Sequence, residues 1–228
     1  MLQNIKNITA ISTMTLGLWV AFPAQAADFE SMLSDTEVTS RNIGLYSQYV
    51  WRGQRQSGGA MSVQGDIGIA HDSGVSANVW FATLGTGNVT EFDFTLDYSA
   101  DLGFMGYSAG LILYRYHNSG ASNTAEVYVG ASHELGSATL YYDTNSKNIW
   151  LDLGSGIELA EFAIEGTLSF AAPDVGTSEF VNLAVGISQD IELDDVVLTP
   201  SLTYNYHMGA LDTPATPDAL VLSLNMAY

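Results

Sequence analysis

The chain has 228 residues, 25 acidic against 6 basic, a formal net charge of −19 and no cysteine. That balance argues against a nucleic-acid partner, which needs a basic face, and the missing cysteines rule out disulfides as a source of stability. The excess acid leaves two readings open, a cation-favouring interior or adaptation of the surface to salt and solubility.

Residues 1–26 have the layout of an export signal: Lys6 as a thin positive start, an apolar run from Ile8 to Phe22, and a small-x-small cleavage pattern at Ala24-Gln25-Ala26. The run is shorter than the roughly 20 residues of a spanning helix, and Pro23 interrupts its end. Residues 27–38 read as a flexible, acidic leader. Beyond them no stretch is apolar for long enough to cross a bilayer as a helix, so any crossing must be made by strands.

From residue 39 onward the chain divides into alternating segments of roughly ten residues, the length a tilted strand needs to cross a bilayer. The first is expected over 39–52, with Ile43, Leu45, Tyr49 and Trp51 on one face and Asn42, Gln48 and Arg52 on the other, before a loop over 53–60. The second, 61–71, sets Val63, Ile67 and Ile69 against Ser62, Gln64 and Asp66, and 72–74 turn the chain tightly. The third, 75–83, is ambiguous because Trp80 opposes Val79 and Phe81. The fourth is the clearest. Phe92, Phe94, Leu96 and Tyr98 alternate with Glu91, Asp93, Thr95 and Asp97, a pattern that in a membrane barrel turns aromatics to lipid and carboxylates to the lumen.

The fifth segment, 107–117, is read with Ile112, Tyr114 and Tyr116 outward and Arg115 inward. The sixth, 124–133, turns Val127 and Val129 outward and Glu126 inward. Short segments at 138–143 and 148–153 follow, then 162–170 with Glu165 on its polar face, 180–188, and 196–207 with Leu202, Tyr204 and Tyr206 on its apolar face. The last, 219–228, alternates Leu220, Leu222, Leu224 and Met226 and stops on Tyr228, which looks like the closing strand of a bacterial outer-membrane barrel.

The expected fold is all-β, a transmembrane antiparallel up-and-down β-barrel over 39–228 with about twelve strands. Ten or fourteen stay open, because 99–106 and 189–195 are long for periplasmic turns. Tyr49, Trp51, Tyr98, Tyr114, Tyr116, Tyr204, Tyr206 and Tyr228 lie toward strand ends and are expected to form the aromatic girdles. Surrounding outer-membrane lipid and, during biogenesis, the barrel-assembly machinery are the expected partners.

Tyr49-Val50-Trp51-Arg52-Gly53, followed by Gln56-Ser57 and Gln64-Gly65, resembles the start of the TorF family of porins, small exported proteobacterial proteins. Glu91 and Asp93, Tyr114-Arg115-Tyr116 and Glu126-Val127-Tyr128-Val129-Gly130 extend the resemblance over nearly the whole mature chain, while His117-Asn118 stands where a Pro-Gly turn is expected. The resemblance implies an outer-membrane barrel to which pore activity is ascribed.

Arg52, Arg55, Glu91, Asp93, Asp97, Arg115, Glu126 and Glu165 are the candidate lumen-lining residues. Arginines facing carboxylates make either a transverse field that sorts ions or a mutual neutralisation that plugs a narrow lumen. Twelve strands lie between the roughly eight that fill with side chains and the roughly sixteen that leave an aqueous channel. His71, His117, His133 and His207 are scattered without metal-ligand spacing, and no nucleophile elbow, P-loop or HExxH occurs, so neither an enzyme nor a cofactor or metal is expected. The expected function is passive diffusion of small solutes or ions with a preference for cations. The alternatives are a non-conducting structural or adhesive barrel and a barrel-borne lipid hydrolase, since catalytic triads assemble in space.

Overall fold

The structure, a computed structural model, describes residues 35–85, 88–172, 180–207 and 218–228. The export signal, residues 27–34 of the leader and the joins at 173–179 and 208–217 lie outside the described residues. The alternating segments form β1 (Thr36–Tyr46), the short β2 (Val50–Trp51) and β3 (Gln54–Arg55), β4 (Ser62–His71), β5 (Val75–Leu84), β6 (Val89–Asp101), β7 (Gly106–His117) and β8 (Thr124–His133). They continue as β9 (Gly136–Asp143), β10 (Ile149–Leu159), β11 (Phe162–Ala172), β12 (Phe180–Gln189), β13 (Ile191–Leu193), β14 (Val196–His207) and β15 (Ala219–Ala227).

Among the described residues twelve long strands pair antiparallel in sequence order, and β1 pairs with β15, with Leu45 opposite Leu224, which closes them into a barrel. Closure gives every wall strand two partners and removes the sheet edge that would otherwise template aggregation. The short β13 folds back on the start of β14, and β2 pairs with β3 outside the wall.

Two lengths that left the strand count open are thereby explained. The wall strands β6 and β7 run on until only 102–105 turn the chain, and 189–195 is taken up by the end of β12 and by a hairpin over 191–198 in which Leu193 pairs with Val196. The barrel thus has one end of tight turns, at 72–74, 102–105 and 134–135, where β1 begins and β15 ends. The opposite end carries 47–61, 118–123 and 144–148.

The outward register is apolar all the way round. Ile43, Ile67, Phe94, Val129, Leu140, Val185, Leu202 and Leu222 are exposed, one from each of eight strands. An aqueous β-protein would bury such a band, so the barrel is inverted, with its packed core inside. Trp80 resolves the ambiguity of the third segment: it is buried inside, while Val79 on the other register is exposed.

The structure corrects the sequence reading in two places. The first strand ends at Tyr46 instead of Arg52, because the chain leaves the wall there and folds inward, and it begins at Thr36, inside the expected leader. The fifth segment is turned the other way. Ile112 and Tyr114 are buried inside, so Arg115, opposite Phe92, lies on the outward register, where its guanidinium donates to the carbonyls of Tyr114 and Thr124. The physical reason is the same in both places: this interior is aromatic as well as acidic, so apolar character does not mark the outer face. Tyr49 and Tyr114 are therefore buried, and Trp51 and Tyr116 pack on the interior clusters instead of a girdle, whereas Tyr98, Tyr204, Tyr206 and Tyr228 are exposed on the outward register or at its rim.

Register at the closing seam is a direct test. Residues opposite one another across antiparallel strands have Cβ atoms about 5 Å apart and diagonal ones about 7–8 Å apart. Cysteines at positions 45 and 224 should cross-link rapidly through a short thiol reagent and give a compact band in gels, while cysteines at 45 and 222 should react slowly. Equal rates would contradict the closure described here.

Candidate functional site

Between Tyr46 and Ser62, themselves opposite each other in the wall, the chain turns into the barrel. Its departure is held by β15: Ser47 donates its N–H to the Leu222 carbonyl at 2.8 Å and accepts the Leu222 N–H on its Oγ at 2.9 Å. Ser57 pins the root, since its Oγ accepts the Tyr49 N–H at 2.9 Å and donates to the Ala60 carbonyl at 2.6 Å. The hairpin then pairs Val50 with Arg55 and Trp51 with Gln54. Arg52 and Gly53 form its tip, both in the left-handed region with φ of 47° and 75°, as a two-residue I′ turn requires. Only glycine fits the second position, because a Cβ there would lie 2.5 Å from Asn182 Oδ1 on β12.

Arg52 is thereby carried to the wall opposite the hairpin's root. Its Nη1 and Nη2 meet Glu126 Oε1 and Oε2 on β8 at 3.0 and 3.3 Å, and its Nε meets Asp152 Oδ2 on β10 at 3.2 Å. Its guanidinium carbon lies 4.2 Å from the Tyr141 ring centre, 4.3 Å from Trp51 and 4.9 Å from Trp150. From β7 the Tyr114 hydroxyl donates to Glu126 Oε2 at 3.0 Å. The Arg52 side chain is only 5% exposed, so its bonds are charge-assisted and sheltered from solvent screening.

Aromatic packing fills the rest of this half of the barrel. Trp51 packs against both interior clusters, one of Ile112, Tyr114, Tyr128, Tyr141 and Trp150 and one of Tyr49, Trp80 and Ala82. Its ring lies 6.1 Å from Tyr114 and 5.9 Å from Trp150, and Tyr49 meets Trp80 edge-on at 5.4 Å. Each such pair contributes about 0.5–1.5 kcal/mol beyond its buried area. Toward the tight-turn end the interior opens. There one cavity of about 380 Å³ is lined by Ser99, Ser108, Gly130, Ser132, Ser137 and Thr139 among others, and one of about 140 Å³ by Glu165, Thr167, Ser201, Thr203 and Asn225 among others.

The expected lumen-lining carboxylates all stand on the inward register. Glu91 is buried near the Tyr49 and Tyr116 hydroxyls, Asp97 is bonded by the Tyr128 hydroxyl at 3.2 Å, and Glu126 by Arg52. Asp93 is buried with neither carboxyl oxygen hydrogen-bonded among the described residues, and Glu165 lines the smaller cavity. Of the arginines, Arg52 sits at the hairpin tip, Arg55 lies on the returning strand of the hairpin, and Arg115 is on the outward register. Asp152 was missed by sequence reasoning, as were the cage rings Tyr141 and Trp150. A usable signal was present, because Trp150 and Asp152 share one register while Leu151 and Leu153 hold the other.

The Gcw_chp family model, described as a bacterial protein of unknown function, matches residues 31–205. Among solved structures the fold is similar to a KdgM porin, with a TM-score of 0.56 and 13% sequence identity over 83% of this chain and 98% of that one. Likeness at that identity establishes a shared porin-like barrel. No curated protein matches the chain.

Removing one partner of a buried ion pair costs about 3–5 kcal/mol, because the other charge is left uncompensated. Arg52→Ala should lower unfolding free energy in detergent by about that amount, and adding Glu126→Gln and Asp152→Asn to it should restore most of the loss. A denaturant titration of the two variants checks this; a loss below about 1 kcal/mol, as at an exposed pair, would contradict the geometry.

Proposed function

We propose, for a chain that belongs to the Gcw_chp family, a porin-like channel of the bacterial outer membrane that passes small solutes or ions, cations in preference, through a constriction formed by the inward hairpin. The observation that carries this reading is the uncompensated acid of the interior. Arg52 is matched to Glu126 and Asp152 alone, which leaves Glu91, Asp93, Asp97 and Glu165 facing inward without an ion-pair partner among the described residues. Carboxylates behind low-dielectric walls focus a negative potential along the axis, which raises the local concentration of cations and repels anions.

Other features support the same reading. The exposed apolar register suits lipid, and the wide end is lined by small polar residues that leave room for hydrated solutes. The resemblance to the TorF porins and the shared fold with a KdgM porin agree with a pore. In this account the export signal delivers the chain across the inner membrane, and the barrel-assembly machinery inserts it into the outer one. The charge sorting that an arginine-to-carboxylate field could provide is therefore dominated by the carboxylates, since the one arginine docked among them is already neutralised.

In a planar bilayer under a salt gradient, the reversal potential should take the sign of a cation-selective pore. Asp97→Asn combined with Glu165→Gln should move it toward zero without changing heat-modifiable migration in gels. An anion-selective potential, or one unmoved by the double substitution, would count against the proposed role of the interior carboxylates. The outward face has its own test: Phe94→Arg should cost about 2–4 kcal/mol of stability in lipid, whereas Asp93→Asn, inside, should assemble normally.

A further inference from the structure

We infer that the pocket holding Arg52 is a binding site for guanidinium-type organic cations, and that Arg52 is its tethered occupant. The contacts all go to the head group. Glu126 takes two parallel N–H bonds, Asp152 takes a third from the side, and the rings of Trp51, Tyr141 and Trp150 surround the planar cation. Methylguanidinium offers the same three donors and the same planar face without the peptide chain behind it.

The geometry selects within the cations. A fork that bonds one carboxylate bidentately and stacks on rings suits a planar guanidinium, whereas a compact, strongly hydrated ammonium or sodium ion gains little from the rings and loses its water. Acidic wall residues deliver such cations to the site, because the interior field concentrates them. A tethered ligand competes at an effective concentration of roughly millimolar. A free organic cation reaching that level displaces Arg52, releases the hairpin tip and so couples its own arrival to widening of the constriction. That consequence for transport rests on the pore reading above; the binding itself does not.

The test uses the full chain, purified in micelles, with methylguanidinium chloride as probe and sodium chloride at matched ionic strength as control. Arg52→Ala vacates the site, and Arg52→Ala/Glu126→Gln/Asp152→Asn vacates it and removes its charge. Methylguanidinium should raise the melting midpoint of Arg52→Ala saturably, at a concentration roughly tenfold lower than any effect on the triple variant. The wild-type shift should be smaller, because its site is filled. Tryptophan emission from Trp51 and Trp150 should change over the same range. Equal responses of the single and triple variants, or equal responses to methylguanidinium and sodium, would overturn the inference. Should Arg52→Ala fail to fold unaided, the yield of heat-modifiable barrel on refolding is read instead: recovery with methylguanidinium and not with sodium supports the site, and no recovery overturns it. Neither readout needs conduction. A silent bilayer would therefore sink the pore reading and leave the site standing, while a conducting barrel with no response to the probe would do the reverse.

Discussion

A buried guanidinium between the buried Glu126 and the half-buried Asp152 is the interaction on which this interior depends. Glu126 on β8 and Asp152 on β10 stand on either side of β9, and desolvating a buried charge such as that of Glu126 without a partner costs several kcal/mol. Tyr114 of β7 gives Glu126 a neutral hydrogen bond, but among the described residues the cation that pairs with both carboxylates comes from the hairpin, which carries Arg52 across the barrel. Its left-handed backbone at Arg52 costs roughly 1–2 kcal/mol in a residue other than glycine, which the ion pair and the surrounding rings offset. The turn type, the required glycine at 53 and the docking on Glu126 are thus parts of one arrangement.

This arrangement divides the barrel along its axis. On the loop side, Trp51 joins the two aromatic clusters, and the hairpin replaces what would be a water-filled lumen with packed rings. On the turn side, serines, threonines and glycines keep side chains short and the interior open. In the proposed pore, a solute entering from the open side would meet Asp97 and Glu165 before the hairpin, so charge would be sampled ahead of size. The family match and the porin-like fold leave this division open; it comes from residues 47–61 of this chain.

Much of the wall was legible in the sequence. The fourth segment, Phe92 to Tyr98 against Glu91 to Asp97, and the last, Leu220 to Met226, face unlike surroundings on their two sides, so alternation alone gives their faces. Twelve strands follow from such segments once the long joins at 99–106 and 189–195 are seen to be strand continuations. The hairpin was not legible, and the reason is parity. Tyr49 and Trp51 continue the odd-numbered register of Ile43 and Leu45, so a strand that folds away at Ser47 reads like one that continues. Ile112 and Tyr114 misled for a related reason, because alternation separates two faces without saying which is inside, and an interior built around aromatic rings reverses the usual clue. Arg115 was then misplaced with them, while Arg52, expected with Arg55 and Arg115 to face Glu91, Asp93 and Glu126 from the wall and its rim, meets Glu126 from the tip of the hairpin.

The central claim is that residues 47–61 obstruct the barrel from within. Because Tyr46 and Ser62 face each other in the wall, a two-residue turn can join β1 to β4 directly and leave the barrel register intact. The decisive measurement is single-channel conductance in planar bilayers of the full chain and of a chain shortened in this way, both shown to be folded by heat-modifiable migration. The account predicts discrete steps that are several-fold larger in the shortened chain. Steps of equal size would mean that the hairpin does not limit passage, and the interior described here would have to be abandoned as a constriction.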